Sequence, residues 1–320
     1  MKTKGLLDLN KSLYIALGYS CNHNCLYCPC HVDAKFSQNV TEEQIIEAIK
    51  SITTKTEIRS ITLSGGEPTI QRNFYGVLGY LNTTDFQINI LSNSESFFDE
   101  EKVKRLISCI DKNRVCVTTA IHHIDGSIHD FVTGVDGSFA RSLQGLHNLR
   151  KNDVNVSVKC IVNKINYQVL PDYVDFVLSN FDGKVRLIFC GMDYCGNARL
   201  SAEKTLVSYK HITPYLENAI DTVEKHKNLI KVSIDELPLC LVDPYYWRYY
   251  SFNTNLGVSA HISPNKKESQ INTIENMTSD CGKFYHKCRQ CDAQNICVGT
   301  WKSAFELLGE DNVNPVNKIC

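Results

Sequence analysis

Neither sign of charge prevails in this chain, where 34 Lys and Arg stand against 35 Asp and Glu in 320 residues for a formal net charge of -1 at pH 7. Without a basic excess there is no electrostatic footprint for a nucleic-acid backbone, and no acidic tail is present either. Long apolar runs are also missing, and none approaches the roughly 20 residues of a membrane span. Lys2 and Lys4 are followed by Gly5-Leu-Leu-Asp-Leu-Asn10, too short and too interrupted for the core of a signal peptide. These absences predict a cytoplasmic protein with no nucleic-acid partner and no membrane. The length suffices for one sizeable domain and a smaller second one.

What the chain has in quantity is cysteine, 15 in all. In a reducing cytosol that number points to metal ligation before disulfides. Cys109, Cys116, Cys160 and Cys190 sit in apolar patterns and read as small core residues. Two groups stand apart. The first, Cys21-Asn-His-Asn-Cys25-Leu-Tyr-Cys28, follows an apolar run (Leu13, Tyr14, Ile15, Ala16, Leu17) that reads as a first buried strand. Soft thiolates favour iron-sulfur clusters or zinc, and three of them on a cube leave one iron open for a substrate or cofactor. Cys30 is read as a non-ligand, because a fourth thiolate would close that iron and Pro29 turns the chain away. The second group, Cys288-Arg-Gln-Cys291-Asp-Ala-Gln-Asn-Ile-Cys297, precedes Gly299-Thr-Trp301 and a short helix through Leu308.

Between the two groups, apolar runs at 13–19, 58–63, 86–91, 114–121, 154–162 and 185–190 read as strands buried on both faces and separated by helices. The first helix has Thr41 as cap with Gln44 in capping-box position, and Ile45, Ala48, Ile49 and Ile52 on one face. Phe139, Leu143, Leu146 and Leu149 mark another after Ser138, and Val174, Val177 and Leu178 a third after Pro171, closed near Gly183. Six strand-helix units imply a parallel sheet with right-handed crossovers, either doubly wound or a partial barrel. After the second run (Ile61, Leu63) comes Ser64-Gly65-Gly66-Glu67-Pro68, whose glycines suit a close approach of backbone to a ligand. Residues 201–236 read as a connector with a helix capped by Thr213 and opened by Pro214. Residues 237–320 lack helix-strand alternation and suggest a small unit stapled by metal.

Cys-x3-Cys-x2-Cys, with Tyr27 in the aromatic place before the third cysteine, resembles the signature of the radical S-adenosylmethionine (radical SAM) enzymes. Ser64 to Pro68 resembles the family's second motif, where backbone lies against the methionyl amino group of SAM. The stretch His122-His123-Ile-Asp-Gly-Ser-Ile-His129-Asp130, with Gly137-Ser138-Phe139 and Val162-Asn163-Lys164, is similar to peptide-modifying members of the SPASM type. The resemblance implies a partial (β/α)6 TIM barrel over residues 1–200, with the cluster loop at the carboxyl end of the strands. It also implies SAM contacts at Gly65, Gly66, Glu67, Pro68, Thr119 and Asn163, while Ala120 takes the place of the usual ribose-binding hydroxyl. No ligand spacing links His122, His123 and His129 to another metal residue, so they read as satisfied or solvent-facing.

Cys288, Cys291 and Cys297 resemble the core of SPASM and twitch domains. Trp301 and Ile262 stand where further cysteines of the full pattern belong, so the resemblance implies one auxiliary 4Fe-4S cluster. Cys240 is placed like its upstream ligand, with Cys281 and Cys320 as competitors; a structural zinc site is the alternative. The cofactors implied are then a SAM-binding 4Fe-4S cluster on Cys21, Cys25 and Cys28, SAM itself and the auxiliary cluster.

The activity implied is that of an oxidoreductase: reductive cleavage of SAM to a 5'-deoxyadenosyl radical, which abstracts hydrogen from a residue of a ribosomally made peptide or protein. A one-electron donor such as a flavodoxin or ferredoxin would serve it. With the first strand starting near residue 13 there is no room for an N-terminal leader-binding domain, which leaves a small-molecule sugar or alcohol dehydrogenase as the second reading. A non-catalytic metal-stapled binding protein is the third.

Overall fold

The computed structural model describes residues 12–29, 40–55, 57–181, 183, 185–226, 230–251, 258–261, 270–272 and 283–317. Seven parallel strands follow one another in space as in sequence: β1 (Ser12–Ala16), β2 (Ser60–Ser64), β3 (Gln87–Leu91), β4 (Val115–Ala120), β5 (Asn155–Ile161), β6 (Arg186–Cys190) and β7 (Lys231–Asp235). Two short strands, β8 (Val258–His261) and β9 (Gln270–Asn272), continue the sheet beyond β1, the first parallel to it and the second antiparallel to β8. The six strands expected from the apolar runs are all present. β7 was hidden inside the expected connector, because Lys-Val-Ser-Ile-Asp carries no apolar run.

The helices crossing between strands are α1 (Glu42–Thr53), α2 (Phe74–Asn82), α3 (Glu100–Cys109), α4 (Gly126–Thr133), α5 (Ser138–Lys151) and α6 (Leu170–Asn180). After β6 come two single turns, α7 (Asn197–Leu200) and α8 (Ala202–Thr205), and then α9 (Tyr209–Lys225). The capping box of α1 forms as its sequence requires, with Gln44 N–H donating to Thr41 Oγ1 and Thr41 N–H to Gln44 Oε1. α9 departs from expectation. It starts at Tyr209 and carries Pro214 inside it, because Tyr209 and Ile212 continue the buried face of Leu216, Ala219, Ile220 and Val223. Thr213 is therefore not a cap; its hydroxyl donates to the Tyr209 and Leu241 carbonyls.

The strands are not apolar on both faces. One face, Leu13, Ile15, Ile61, Leu63, Ile88, Ile90, Val115, Val117, Val156, Val158, Cys160, Leu187, Phe189 and Ile234, belongs to the core. The alternate residues are polar, and several are in part open to solvent: Ser12, Tyr14, Thr62, Asn89, Cys116 and Lys159. They bond across strands, Tyr14 OH to Ser64 Oγ at 2.7 Å and Thr118 Oγ1 to Asn89 Oδ1 at 2.8 Å. Of the scattered cysteines read as core, Cys160 lies in the core and Cys109 packs against it, whereas Cys116 and Cys190 are on the polar face.

That face is the inside of an incomplete barrel. In a flat sheet five strand spacings, roughly 24 Å, would separate β1 from β6. Yet Asn197 N–H, just beyond β6, donates to the Cys28 carbonyl, just beyond β1, at 2.9 Å. The two loops thus meet across the mouth at the carboxyl ends of the strands, as in a curled sheet.

Candidate functional site

The first cysteine group leaves β1 through Leu17 to Ser20 and is held from three sides. The Gly65-Gly66-Glu67 turn after β2 lies against its approach, with Gly66 N–H donating to Gly18 O at 2.8 Å and Glu67 N–H to Ser20 O at 2.9 Å. A Cβ on Gly65, whose φ is 116°, would lie 2.2 Å from Gly18 O, and one on Gly66 2.3 Å from Ser20 O. The glycines are thus demanded by the loop leading into Cys21. From the α4 side, the Thr133 and Val132 carbonyls accept from Asn24 and Leu26 N–H. From beyond β6, Asn197 Nδ2 reaches the Cys25 carbonyl at 3.2 Å and Ser201 Oγ the Leu26 carbonyl at 2.8 Å.

Glu67 is buried and spends its carboxylate on the protein. Oε1 accepts from Thr69 N–H, Thr69 Oγ1 and Ser92 Oγ, and Oε2 from Asn93 N–H at 2.7 Å. Burial pushes its pKa up against the pull of those donors. The side chain therefore ties the turn after β2 to the one after β3. Thr119 Oγ1 is likewise paired with Ser94 Oγ at 2.6 Å, and the Asn163 side chain closes its own turn through the Ile161 carbonyl and Ile165 N–H.

Residues between the cysteines have partners the sequence did not reveal. Glu95 gathers Asn22 Nδ2 at 2.6 Å, His23 Nε2 at 3.3 Å and Arg141 Nη2 at 2.8 Å. Tyr27 OH bonds His122 Nδ1 at 2.8 Å, and His122 N–H donates to His129 Nδ1 at 3.1 Å. His122, His123 and His129 are buried, and none faces solvent. Burial holds His122 well below its ordinary pKa and His129 down to about 4, so both are neutral at physiological pH. His123 Nδ1 accepts from Asp125 N–H in the turn before α4.

The three thiols fit a cluster on the chemistry of the donor set. Cys21 Sγ accepts from His23 N–H at 3.4 Å. Burial pushes the Cys21 thiol up to about 11 and Cys25 higher, with neighbouring thiols adding to the effect. Thiolates crowded in a poorly solvated loop need a cationic centre to hold them. Cys30 lies outside the described residues.

The second group meets its expected partner. Cys240, Cys288, Cys291 and Cys297 line one pocket with Leu239, Tyr285 and Val313. Cys297 Sγ accepts from Leu239 and Gly299 N–H, and Cys291 Sγ from Val316 N–H, the kind of N–H to sulfur bond that tunes iron-sulfur centres. Burial pushes Cys240 up to about 12, with the other three thiols contributing. Ile262 and the competing Cys281 and Cys320 lie outside the described residues. Among the described residues no three His, Cys, Asp or Glu side chains converge on a point that one metal ion could occupy. Trp301 packs against a small apolar cluster containing Tyr27, Met192, Tyr194 and Ala304, which joins the cysteine loop to the C-terminal helix (Lys302–Leu308).

The Radical SAM superfamily model matches residues 15–177, from β1 into α6. The chain belongs to the radical SAM superfamily. The cofactors of that superfamily are a 4Fe-4S cluster and SAM. Among curated proteins it is 25% identical over 185 residues to the sporulation killing factor maturation protein SkfB of Bacillus subtilis, covering 54% of this chain and 44% of SkfB. It is 24% identical over 163 residues to the Fe-coproporphyrin III synthase of Methanosarcina barkeri, covering 49% of this chain and 38% of the synthase. The matches span less than half the length of these two relatives. Streptococcus suis SuiB bound to its precursor peptide SuiA shares the fold, with a TM-score of 0.66 at 12% identity over 96% of this chain and 75% of SuiB. No helix among the described residues is long and apolar enough to cross a membrane.

Proposed function

We propose that this radical SAM enzyme is an oxidoreductase that modifies a residue of a ribosomally made peptide or protein. Cys21, Cys25 and Cys28 hold the SAM-binding 4Fe-4S cluster, and Cys240, Cys288, Cys291 and Cys297 hold one auxiliary cluster. The catalytic barrel runs from β1 through β7, and the described residues from Leu237 to Cys297 carry the auxiliary site. The observation that carries the reading is the gathering of four thiols in one pocket at the C-terminal end of a chain whose first three thiols sit on the β1 loop. SkfB, a maturation protein, and SuiB, solved with a precursor peptide, support a peptide substrate.

Cys21, Cys25 and Cys28 would hold the first cluster, which when bound and reduced would supply the one-electron cleavage of SAM that starts hydrogen abstraction from the substrate. This chain's residues do the rest. The Gly65 to Pro68 backbone, stapled by Glu67, would present the SAM site together with Thr119 and Asn163. The Asn197 and Ser201 contacts keep the cysteine loop closed over the barrel. A flavodoxin or ferredoxin would serve as one-electron donor, and Cys240, Cys288, Cys291 and Cys297 would hold the auxiliary cluster, which would supply a one-electron acceptor beside the substrate.

The test is anaerobic SAM cleavage with dithionite, with and without peptides encoded beside the gene. A peptide that gains or loses mass while deoxyadenosine rises supports the reading. Stimulation by sugars or alcohols and by no peptide would replace it with the small-molecule dehydrogenase, for which the porphyrin-related relative is the precedent of a non-peptide substrate.

A further inference from the structure

Charge on the polar face of the sheet is confined to one side. From β1 to β4 that face carries Ser12, Tyr14, Thr62, Asn89, Cys116 and Thr118, all neutral, under the cysteine loop and the Gly65-Gly66 turn. From β5 to β7 it carries charge, with Arg186 and Lys231 at the amino ends of β6 and β7 and a second group toward the carboxyl ends. Lys159 stands two residues from the end of β5, Cys190 ends β6, Asp235 ends β7 and Glu236 follows it; Cys190 is paired in register with both Ile161 and Asp235.

The group is built rather than incidental. Glu236 takes a left-handed backbone conformation, φ 59°, and its carbonyl sits where a Cβ on Gly191 would come within 2.1 Å. Non-glycine residues persist in that region where the surroundings hold them, often at functional sites. The conformation brings Glu236 Oε2 to 3.0 Å from Cys190 Sγ, which donates to it. Burial would discharge Lys159, but the sulfur of Cys190 and the Glu236 and Asp235 carboxyl groups around it outweigh that and push its pKa up. Glu236 thus has its partners. Asp235 faces Lys159 and Arg186 and has the Ser233 hydroxyl beside it, yet its buried Oδ1 makes no well-formed hydrogen bond. A buried carboxylate oxygen left without a donor is uncommon enough to require an explanation.

We infer that Lys159 and Asp235 are the substrate-orienting pair of this enzyme and that they hold a main-chain amide of the peptide. Asp235 Oδ1 accepts the amide N–H, and the Lys159 ammonium donates to a carbonyl oxygen. The inference rests on the peptide reading above and names what the barrel recognises in it. The Asp235 and Glu236 carboxylates stand against Lys159 and Arg186, so neither an anionic nor a cationic substrate group finds an unopposed partner there. A neutral group with its donor and acceptor on separate atoms suits both sides, and an amide is such a group. The ionic half thus takes the substrate, opposite the neutral half beneath the cluster loop.

The probe is an equimolar pool of N-acetyl amino-acid N-methylamides, set against a pool of simple sugars and polyols, with deoxyadenosine formation as the readout. Wild type should be stimulated by the amides. Asp235→Asn and Lys159→Met should raise the amide KM about tenfold or more, the scale of one lost hydrogen bond to a charged group. Iron content should stay as in wild type. Lys159→Arg should restore part of the loss, which a merely structural role would not produce through KM alone. If Lys159→Met fails to fold, the isosteric Asp235→Asn decides. Amide stimulation that survives in Asp235→Asn overturns the pair and leaves the peptide reading standing. Stimulation by sugars alone overturns both, and no stimulation by either pool overturns the amide assignment.

Discussion

Glu67 Oε2 accepts the backbone N–H of Asn93 at 2.7 Å, joining the turn after β2 to the turn after β3 beneath the mouth of the barrel. The same carboxylate takes three further donors, from Thr69 and Ser92. Glu67→Gln places an amide NH2 against a donor and should cost about 3 kcal/mol of stability. Iron content should be retained while SAM affinity falls, because the residue shapes the turn without touching the thiols. Denaturant midpoints and SAM titration check both; unchanged affinity would mean the turn is held by its glycines alone.

Gly66→Ala should be more damaging than its size suggests. The new methyl would press on the Ser20 carbonyl, next to Cys21, so the loop must shift. Anaerobic reconstitution should then yield less iron at the first site, with the second unaffected. Equal iron at both sites would show that the Gly18 to Ser20 segment yields without moving Cys21.

Iron counting separates the two cysteine groups. Reconstituted protein should hold about eight irons, four per cluster. Replacing Cys21, Cys25 and Cys28 together by Ala should leave about half the iron and abolish deoxyadenosine formation. Replacing Cys240 alone should lower iron at the second site. Zinc filling the second site in protein purified anaerobically would make that group a structural staple instead.

His129 makes stability sensitive to acid. Its folded pKa is held down to about 4 by burial, against an ordinary value of 6.5. Below about pH 6.5 the unfolded chain takes up a proton that the folded chain refuses, so stability is lost as pH falls toward 4. The loss approaches ~3 kcal/mol at the lower end. His122, held low by the same burial, steepens it. Urea midpoints of wild type and His129→Phe between pH 7 and 5.5 should converge as pH falls, since the variant lacks that proton. Parallel lines would assign the acid sensitivity to other groups.

How much was legible follows from range. The capping box at Thr41 and Gln44 lies within one turn, and the apolar alternation of β1 to β6 is local too, so both could be read off the chain. Pro214 misled because its local preference for a helix start was overridden by the burial of Tyr209 and Ile212. β7 escaped because its pairing with β6 supplies what its sequence lacks.

The sequence by itself determined the chemistry: three thiols at x3 and x2 spacing, a Gly-Gly turn after the second strand and a second set of thiols near the C-terminus. Ligand spacing is a property of a few consecutive residues, and it survives any uncertainty about the rest of the chain. Only the tertiary structure decided what those residues face. That Gly65 and Gly66 make room for the cysteine loop, that Asn197 closes over Cys28, and that Lys159, Cys190, Asp235 and Glu236 meet on one side of the barrel all depend on the curl of the sheet. Contacts between distant residues arise from packing, and no local pattern records them.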